Sequence, residues 1–199
     1  MAKASKRSKA KDRTSARAAK QKKVNMWTWL IGAGVAAAII VPIAVNLVSA
    51  SSLPGESFRS QGNAHIELGS EHPAYNSNPP TSGWHTGDLT GWGSYDYVVP
   101  DERVIHNMED GGVILWYKLG TAEENEENIK LLEEAIEVAE EETSERFRHV
   151  VIMPRKDMET PYAMTAWTRL QRLEAFDQGA ITKFLESYEG IDHHVRGYG

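Results

Sequence analysis

The chain has 199 residues, with 22 Lys or Arg against 28 Asp or Glu, a formal net charge of −6 and no cysteine. The lack of cysteine excludes disulfides, thiolate metal sites, lipidation of a mature N-terminal cysteine and thiol nucleophiles together. The charge is split rather than spread. Up to Val24 there are ten basic residues and one acid, Asp12, for +9, and the remainder holds 12 basic and 27 acidic residues, for −15. This excludes one soluble domain of uniform surface and predicts a tail and a body with different electrostatic partners.

Residues 1–25 form a basic arm whose Ala/Ser/Lys composition is that of a disordered segment. Residues 26–48, MWTWLIGAGVAAAIIVPIAVNLV, carry no formal charge over 23 positions. A helix of that length rises about 34 Å, enough to cross a hydrocarbon core of roughly 30 Å. Trp27 and Trp29 suit the headgroup level, and the adjacent basic residues predict that this end stays inside. The expectation is a single-pass protein of the plasma membrane, with the N-terminus cytoplasmic and the C-terminal domain extracytoplasmic. Beside a spanning helix the arm's charges set topology and touch anionic lipid, at about 1 kcal/mol each near the surface; that position argues against a nucleic-acid role. A cleaved signal peptide is the rival reading, because Val48-Ser49-Ala50 offers small residues for cutting after Ala50. The apolar run, however, exceeds the 7–15 residues usual for such signals. Pro42 kinks a spanning helix without forbidding it.

Residues 49–74 read as an extended linker or lead-in segment, 75–190 as a globular domain and 191–199 as a tail. The exported part, about 140 residues, is long enough for one hydrophobic core. Gly83, Gly87, Gly91 and Gly93 among the aromatics of Trp84 to Tyr97 predict a packed loop rather than a helix. The segment VPDERVIHNMEDGG reads as a turn leading into a strand over Val113 to Leu119 (VILWYKL). Thr121 with Glu124 is a capping box opening a long acidic helix, on which Ile129, Leu131, Leu132, Ala135, Ile136 and Ala139 fall near one stripe. Phe147 to Met153, stopped by Pro154, is a second strand, and a helix between two strands makes a parallel pair plausible. Ala163 to Leu173 fits either a helix or a strand; the alternation of Thr165, Trp167, Arg169 and Gln171 favours a strand. Asp177 caps a final helix with Ile181, Phe184, Leu185 and Tyr188 at helical spacing. The expected architecture is α+β, a compact βαββα-like domain behind an N-terminal transmembrane helix.

All seven histidines lie beyond the apolar segment. The densest group is His106, Met108, Glu109 and Asp110 before Gly111-Gly112. His85 is placed to join from the preceding loop, and Met153, Met158 and Met164 to supply sulfur. His with carboxylate suits zinc, and His with thioether suits copper. The candidate ligands are therefore His85, His106 and Asp110, with Met108 and Met164 as further donors. The alternative is purely structural: His106 and Asp110 hydrogen-bond a tight turn, and the methionines fill gaps in the core. His193-His194 lie in a polar tail, where adjacent histidines rarely close a site. No GxSxG, GxxxxGK[ST] or GxGxxG pattern occurs, so no catalytic or phosphate-binding signature is present.

The segments YNSNPPTSGWH, WGSYDYVVPDERVIHNMEDGGVILWY and MTAWTRLQRLEAFDQGAITKFLESYEG, in this order over Tyr75 to Gly190, resemble the bacterial family catalogued as domain of unknown function 3105. The resemblance rests on a TSG-x-H loop, an H-N-x-E-H-G-G turn and a T-A-W-G-R strand followed by F-D-x-x-A-I and a helix. It supplies no established activity and implies an envelope domain attached by an N-terminal helix or signal. The chain departs from the pattern at Asp110, where the family carries a second histidine, and at Thr168, where it carries glycine. If the turn histidines bind metal in relatives, this chain keeps a zinc-like His/His/Asp set and loses soft-metal character. Two functions follow as expectations. The first is a non-enzymatic accessory or interaction subunit of a larger envelope membrane complex, a respiratory assembly among the candidates, in contact with lipid and neighbouring membrane proteins. The second is a metal-binding or metal-delivery domain for copper or zinc.

Overall fold

The computed structural model describes residues 53–194. The expected arm, the apolar segment 26–48, the cleavage position after Ala50 and residues 195–199 lie outside them. Among the described residues no helix is long and apolar enough to cross a membrane.

The centre of the fold is β3, Val113–Lys118, whose first five residues are buried. Val113, Leu115 and Tyr117 point into one apolar cluster and Ile114 and Trp116 into another, so the strand is covered on both faces, as its near-continuous apolar run requires. β4, Val150–Arg155, lies parallel to β3 from Val113↔Val150 to Lys118↔Arg155. On the other side β5, Tyr162–Ala166, runs antiparallel to β3 and forms a hairpin with β6, Arg169–Leu173. Two-residue strands, β1 (Glu56–Ser57) and β2 (Gly93–Ser94), close the edges of a mixed sheet of order β1-β6-β5-β3-β4-β2.

Two strand boundaries differ from the sequence reading. The second strand was expected over Phe147–Met153, but β4 begins at Val150 and continues through Pro154. Tyr95 donates its backbone N–H to the Ile152 carbonyl, so Ile152 and, two residues on, Pro154 face the β2 side. β2 reaches only Val151 and Ile152, and no neighbouring strand needs the N–H that proline lacks. The expected single strand over Ala163–Leu173 is a hairpin broken at Trp167-Thr168, where Thr168 has φ 61°.

One face of the sheet is covered by two helices, α2 (Ala122–Thr143) and α3 (Gln178–Tyr188). The capping box at Thr121 and Glu124 is formed, and the Asp177 side chain accepts the Ala180 N–H. Leu132, Ala135 and Ala139 pack with Ile181, Phe184 and Leu185 in the same cluster.

The opposite face carries α1, Asp101–Glu109. This stretch is a helix and not the turn its sequence suggests, because polar residues and the glycine pair mask its short period. The signals were present: Pro100 and two acids at the start, then Val104, Ile105 and Met108 one and four apart. Those three side chains are fully buried, worth about 1.5–3 kcal/mol each against exposure. The helix stops at a Schellman motif: Gly112 donates to the Asn107 carbonyl at 2.7 Å and Gly111, at φ 85°, to Met108 at 3.2 Å. Arg155 of β4 grips Asp101 with two nitrogens, at 2.5 and 3.1 Å, fixing the first turn of α1 against the sheet.

Candidate metal centre

His106 and Glu109 on α1 and Asp110 at its C-cap fall at i, i+3 and i+4, so they share one side. Met108 falls on the other. Asn107, fully buried, accepts the Thr90 N–H at 3.0 Å and donates to the Thr90 carbonyl at 2.9 Å. This ties the loop after His85 to the helix.

The loop Thr81–His85 is held from several sides. The Gln61 N–H donates to the Ser82 hydroxyl, Gly83 donates to the Gly62 carbonyl, and Tyr75 Oη donates to the Trp84 carbonyl at 2.7 Å. Gly83 has φ 124°, and a Cβ there would meet the Tyr75 ring at 3.2 Å. Its neighbour in the lead-in segment is bridged to it in parallel: His85 donates its N–H to Ala64 and Ile66 donates to the His85 carbonyl. That bridge sets His65 beside His85.

Four side chains converge as a result. His65, His85, His106 and Glu109 each offer a donor atom, and all of these lie within 4.8 Å of one another. The ring centroids are 4.8 Å apart for His65 and His85 and 5.2 Å for each of them from His106. The His85 side chain is 0% exposed and that of Glu109 1%, whereas His65 stands at 52%, so the set is buried on its protein side and capped by a half-exposed His65. Glu109 Oε1 accepts from Asn63 Nδ2 at 2.9 Å, and Oε2 stands 2.9 Å from His85 Nε2 and 3.8 Å from His65 Nε2.

The other ring nitrogens fix the chemistry. His85 Nδ1 is 2.7 Å from the Gly83 carbonyl, and His106 Nδ1 is 2.7 Å from the Thr86 carbonyl. A carbonyl only accepts, so each Nδ1 donates there, and in the neutral ring Nε2 is the atom left to face the cluster as a ligand. Metal-ligating histidines are oriented by this kind of backbone bond. Burial pushes the His85 pKa down, outweighing the Gly83 bond and the Glu109 charge that pull it up. Burial alone would raise that of Glu109, but the Asn63 hydrogen bond and the nearby His85 and His194 hold the carboxyl below its usual range. With the imidazole neutral and Nδ1 donating, Nε2 and the carboxylate oxygen would be two acceptors 2.9 Å apart, an arrangement that a shared proton or a bound cation satisfies. Three imidazole nitrogens and one carboxylate match the donor number and type of a zinc site, and suit Cu(II) as well.

A second donor set adjoins the first. His106, Asp110 and His194 also bring ligand atoms within 4.8 Å. The tail reaches there because Gly190 donates to the Gly111 carbonyl and His193 to the Glu109 carbonyl, both at 2.8 Å, while the His193 ring stacks over Trp167.

Of the residues proposed from sequence, His85 and His106 are brought together, and Asp110 joins His106 in the second set rather than the first. Met108 is packed with Val104, Ile105 and Trp116 on the far side of α1, and Met164 lies in the cluster on the opposite face of the sheet. The sequence pattern puts Glu109 in the dense donor group without singling it out as a ligand, gives no weight to His65 and discounts His194. The i, i+3 spacing of His106 and Glu109 becomes a signal once α1 is recognised as a helix. No local pattern points to His65 or His194, whose positions depend on long-range backbone bonds.

Residues 67–196 match the sequence profile of the family described as "Protein of unknown function (DUF3105)". No curated protein and no solved structure matches the chain.

Proposed function

The chain belongs to the DUF3105 family, whose description assigns no activity, and we propose from the geometry of the site that it is a metal-binding domain taking zinc or Cu(II) through His65, His85, His106 and Glu109. The observation that carries this reading is the convergence of four donor atoms within 4.8 Å of one another around the buried His85–Glu109 contact, with Nδ1 of His85 committed to a carbonyl. In this proposal the apolar segment 26–48 anchors the domain at the outer face of the plasma membrane, and the site takes ions from outside the cell. A bound divalent ion would neutralise Glu109 and join the lead-in segment, the 81–85 loop and α1.

Metal analysis and zinc titration of the full-length chain test the proposal. One ion per chain is expected, lost on His85→Ala. No bound or titratable zinc or copper, or binding indifferent to His85→Ala and Glu109→Gln, overturns it.

A second reading, an accessory subunit of a larger envelope membrane complex, is supported by the exposed apolar side chains Leu89, Tyr97 and Val98, at 38, 59 and 40%, which flank the short edge strand β2. Extraction in several mild detergents tests it: a protein that runs alone at its own mass in all of them is not a subunit of such a complex.

A further inference from the structure

The two donor sets share one atom. His106 Nδ1 is taken by the Thr86 carbonyl, so the nitrogen it offers to either set is Nε2, and one lone pair holds one ion. The sets are therefore alternative positions for a single cation rather than a two-metal centre. They also differ in access. Inside, His85 and Glu109 are 0 and 1% exposed and His65 alone reaches solvent, at 52%; outside, both carboxylate and imidazole are accessible, Asp110 at 29% and His194 at 42%.

The outer set has its own framework. His194 Nδ1 lies 2.8 Å from Asp192 Oδ1 and 3.5 Å from Asp110 Oδ1, and its Nε2 is 3.6 Å from Glu109 Oε2. Asp110 Oδ2 is 3.8 Å from His106 Nε2. The tail carrying His194 crosses α1's end at Gly111, where a Cβ would stand 2.9 Å from the Gly190 carbonyl carbon and the Ile191 nitrogen. The glycine thus permits the tail to lie where His194 can reach Asp110.

We infer that the cation is loaded through this tail: His106, Asp110 and His194 receive it at the surface and pass it inward to His65, His85 and Glu109, with His106 Nε2 kept as a ligand throughout. The inference rests on the metal reading proposed above. Transfer by ligand exchange around a shared nitrogen spares the ion a fully undressed step into a buried site, since each outer donor is replaced as an inner one binds. The charges assist in the same direction, because an incoming cation meets Asp110 and Asp192 before it reaches Glu109.

The test is rapid-mixing loading of cobalt(II) into the full-length, chelator-treated chain, followed by visible absorption and metal analysis. The wild type takes up one cobalt per chain. His194→Ala and Asp110→Asn reach the same final spectrum but load roughly tenfold more slowly, the scale that removing a supporting partner costs a metal site. Loading at the wild-type rate in both variants, two ions per chain, or an altered final spectrum in His194→Ala would each overturn the path and leave the metal reading standing. No uptake by the wild type overturns the metal reading itself, and this inference with it.

Discussion

Replacing Glu109 by glutamine separates a metal centre from an ordinary buried ion pair by the sign of its effect. Glutamine keeps the shape and can keep Oε1 as acceptor for Asn63 Nδ2 at 2.9 Å, while its amide nitrogen takes the place of Oε2, 2.9 Å from His85 Nε2. That amide donates to the imidazole lone pair, so a repelling acceptor pair becomes a hydrogen bond worth about 0.5–1.5 kcal/mol net. The desolvation cost of a buried carboxylate goes too, offset in part because the Asn63 hydrogen bond and the His194 charge favour the ionised form. In the presence of chelator, Glu109→Gln should therefore be more stable than the wild type by about 1 kcal/mol, a rise of roughly 3–5 °C in melting temperature for a domain of this size. With zinc the order reverses. The wild type gains about 4 kcal/mol at a thousandfold excess over Kd, and the variant, deprived of its anionic ligand, gains little. Thermal melts of both proteins with chelator and with zinc measure all four values. If His85 is instead an imidazolium paired with Glu109, removing one partner of the buried pair costs about 3–5 kcal/mol. A chelator-treated variant less stable than the wild type would thus refute the argument.

Three further outcomes are expected. Thr168→Gly should stabilise the domain by about 1 kcal/mol in urea unfolding, since a β-branched residue is held at φ 61°, a region that costs non-glycine residues on the order of 1–2 kcal/mol. Gly112→Ala should destabilise it by about 1–3 kcal/mol, because the new Cβ would stand 2.6 Å from the Asn107 carbonyl oxygen and 2.7 Å from the Trp92 ring; calorimetry reads the loss. Stability without metal should fall as the pH drops below the ordinary histidine value of 6.5, because burial lowers the folded His85 pKa and the unfolded chain then binds more protons than the folded one. Glu109, lowered from 4.5, extends the loss to more acid pH. His194, raised above 6.5 chiefly by its Asp192 hydrogen bond, acts in the opposite sense: its contribution is full below 6.5 and is lost as pH rises through its folded value. His194→Ala should therefore steepen the acid loss in a denaturation series across pH.

The helices and strands that carry a strong local signal are legible in the sequence. The Thr121–Glu124 capping box and the Asp177 cap write their own hydrogen bonds into the sequence, and VILWYKL has too many β-branched and aromatic residues to be anything but a buried strand. The family membership was legible too, because three separated motifs agree in order. What misled was short-range ambiguity. A nine-residue helix supplies about two and a half turns, too few for its period to stand out among polar residues. The break at Trp167-Thr168 was hidden because threonine occupies a position whose backbone favours glycine.

The available chemistry is written in the residues: no sulfur nucleophile, histidines confined to the acidic part of the chain, and His106 with its acids beside a glycine pair. Which donors meet depends on the folded chain. Once α1 forms, its 3.6-residue period sends His106, Glu109 and Asp110 to one side and Met108 to the core, and strand alternation sends Met164 to the other face of the sheet. His65, 20 residues before His85, and His194, 88 residues after His106, arrive through a backbone bridge and a tail anchored on Gly111. These are long-range hydrogen bonds between carbonyls and amides that every residue possesses, so side-chain identity carries no trace of them.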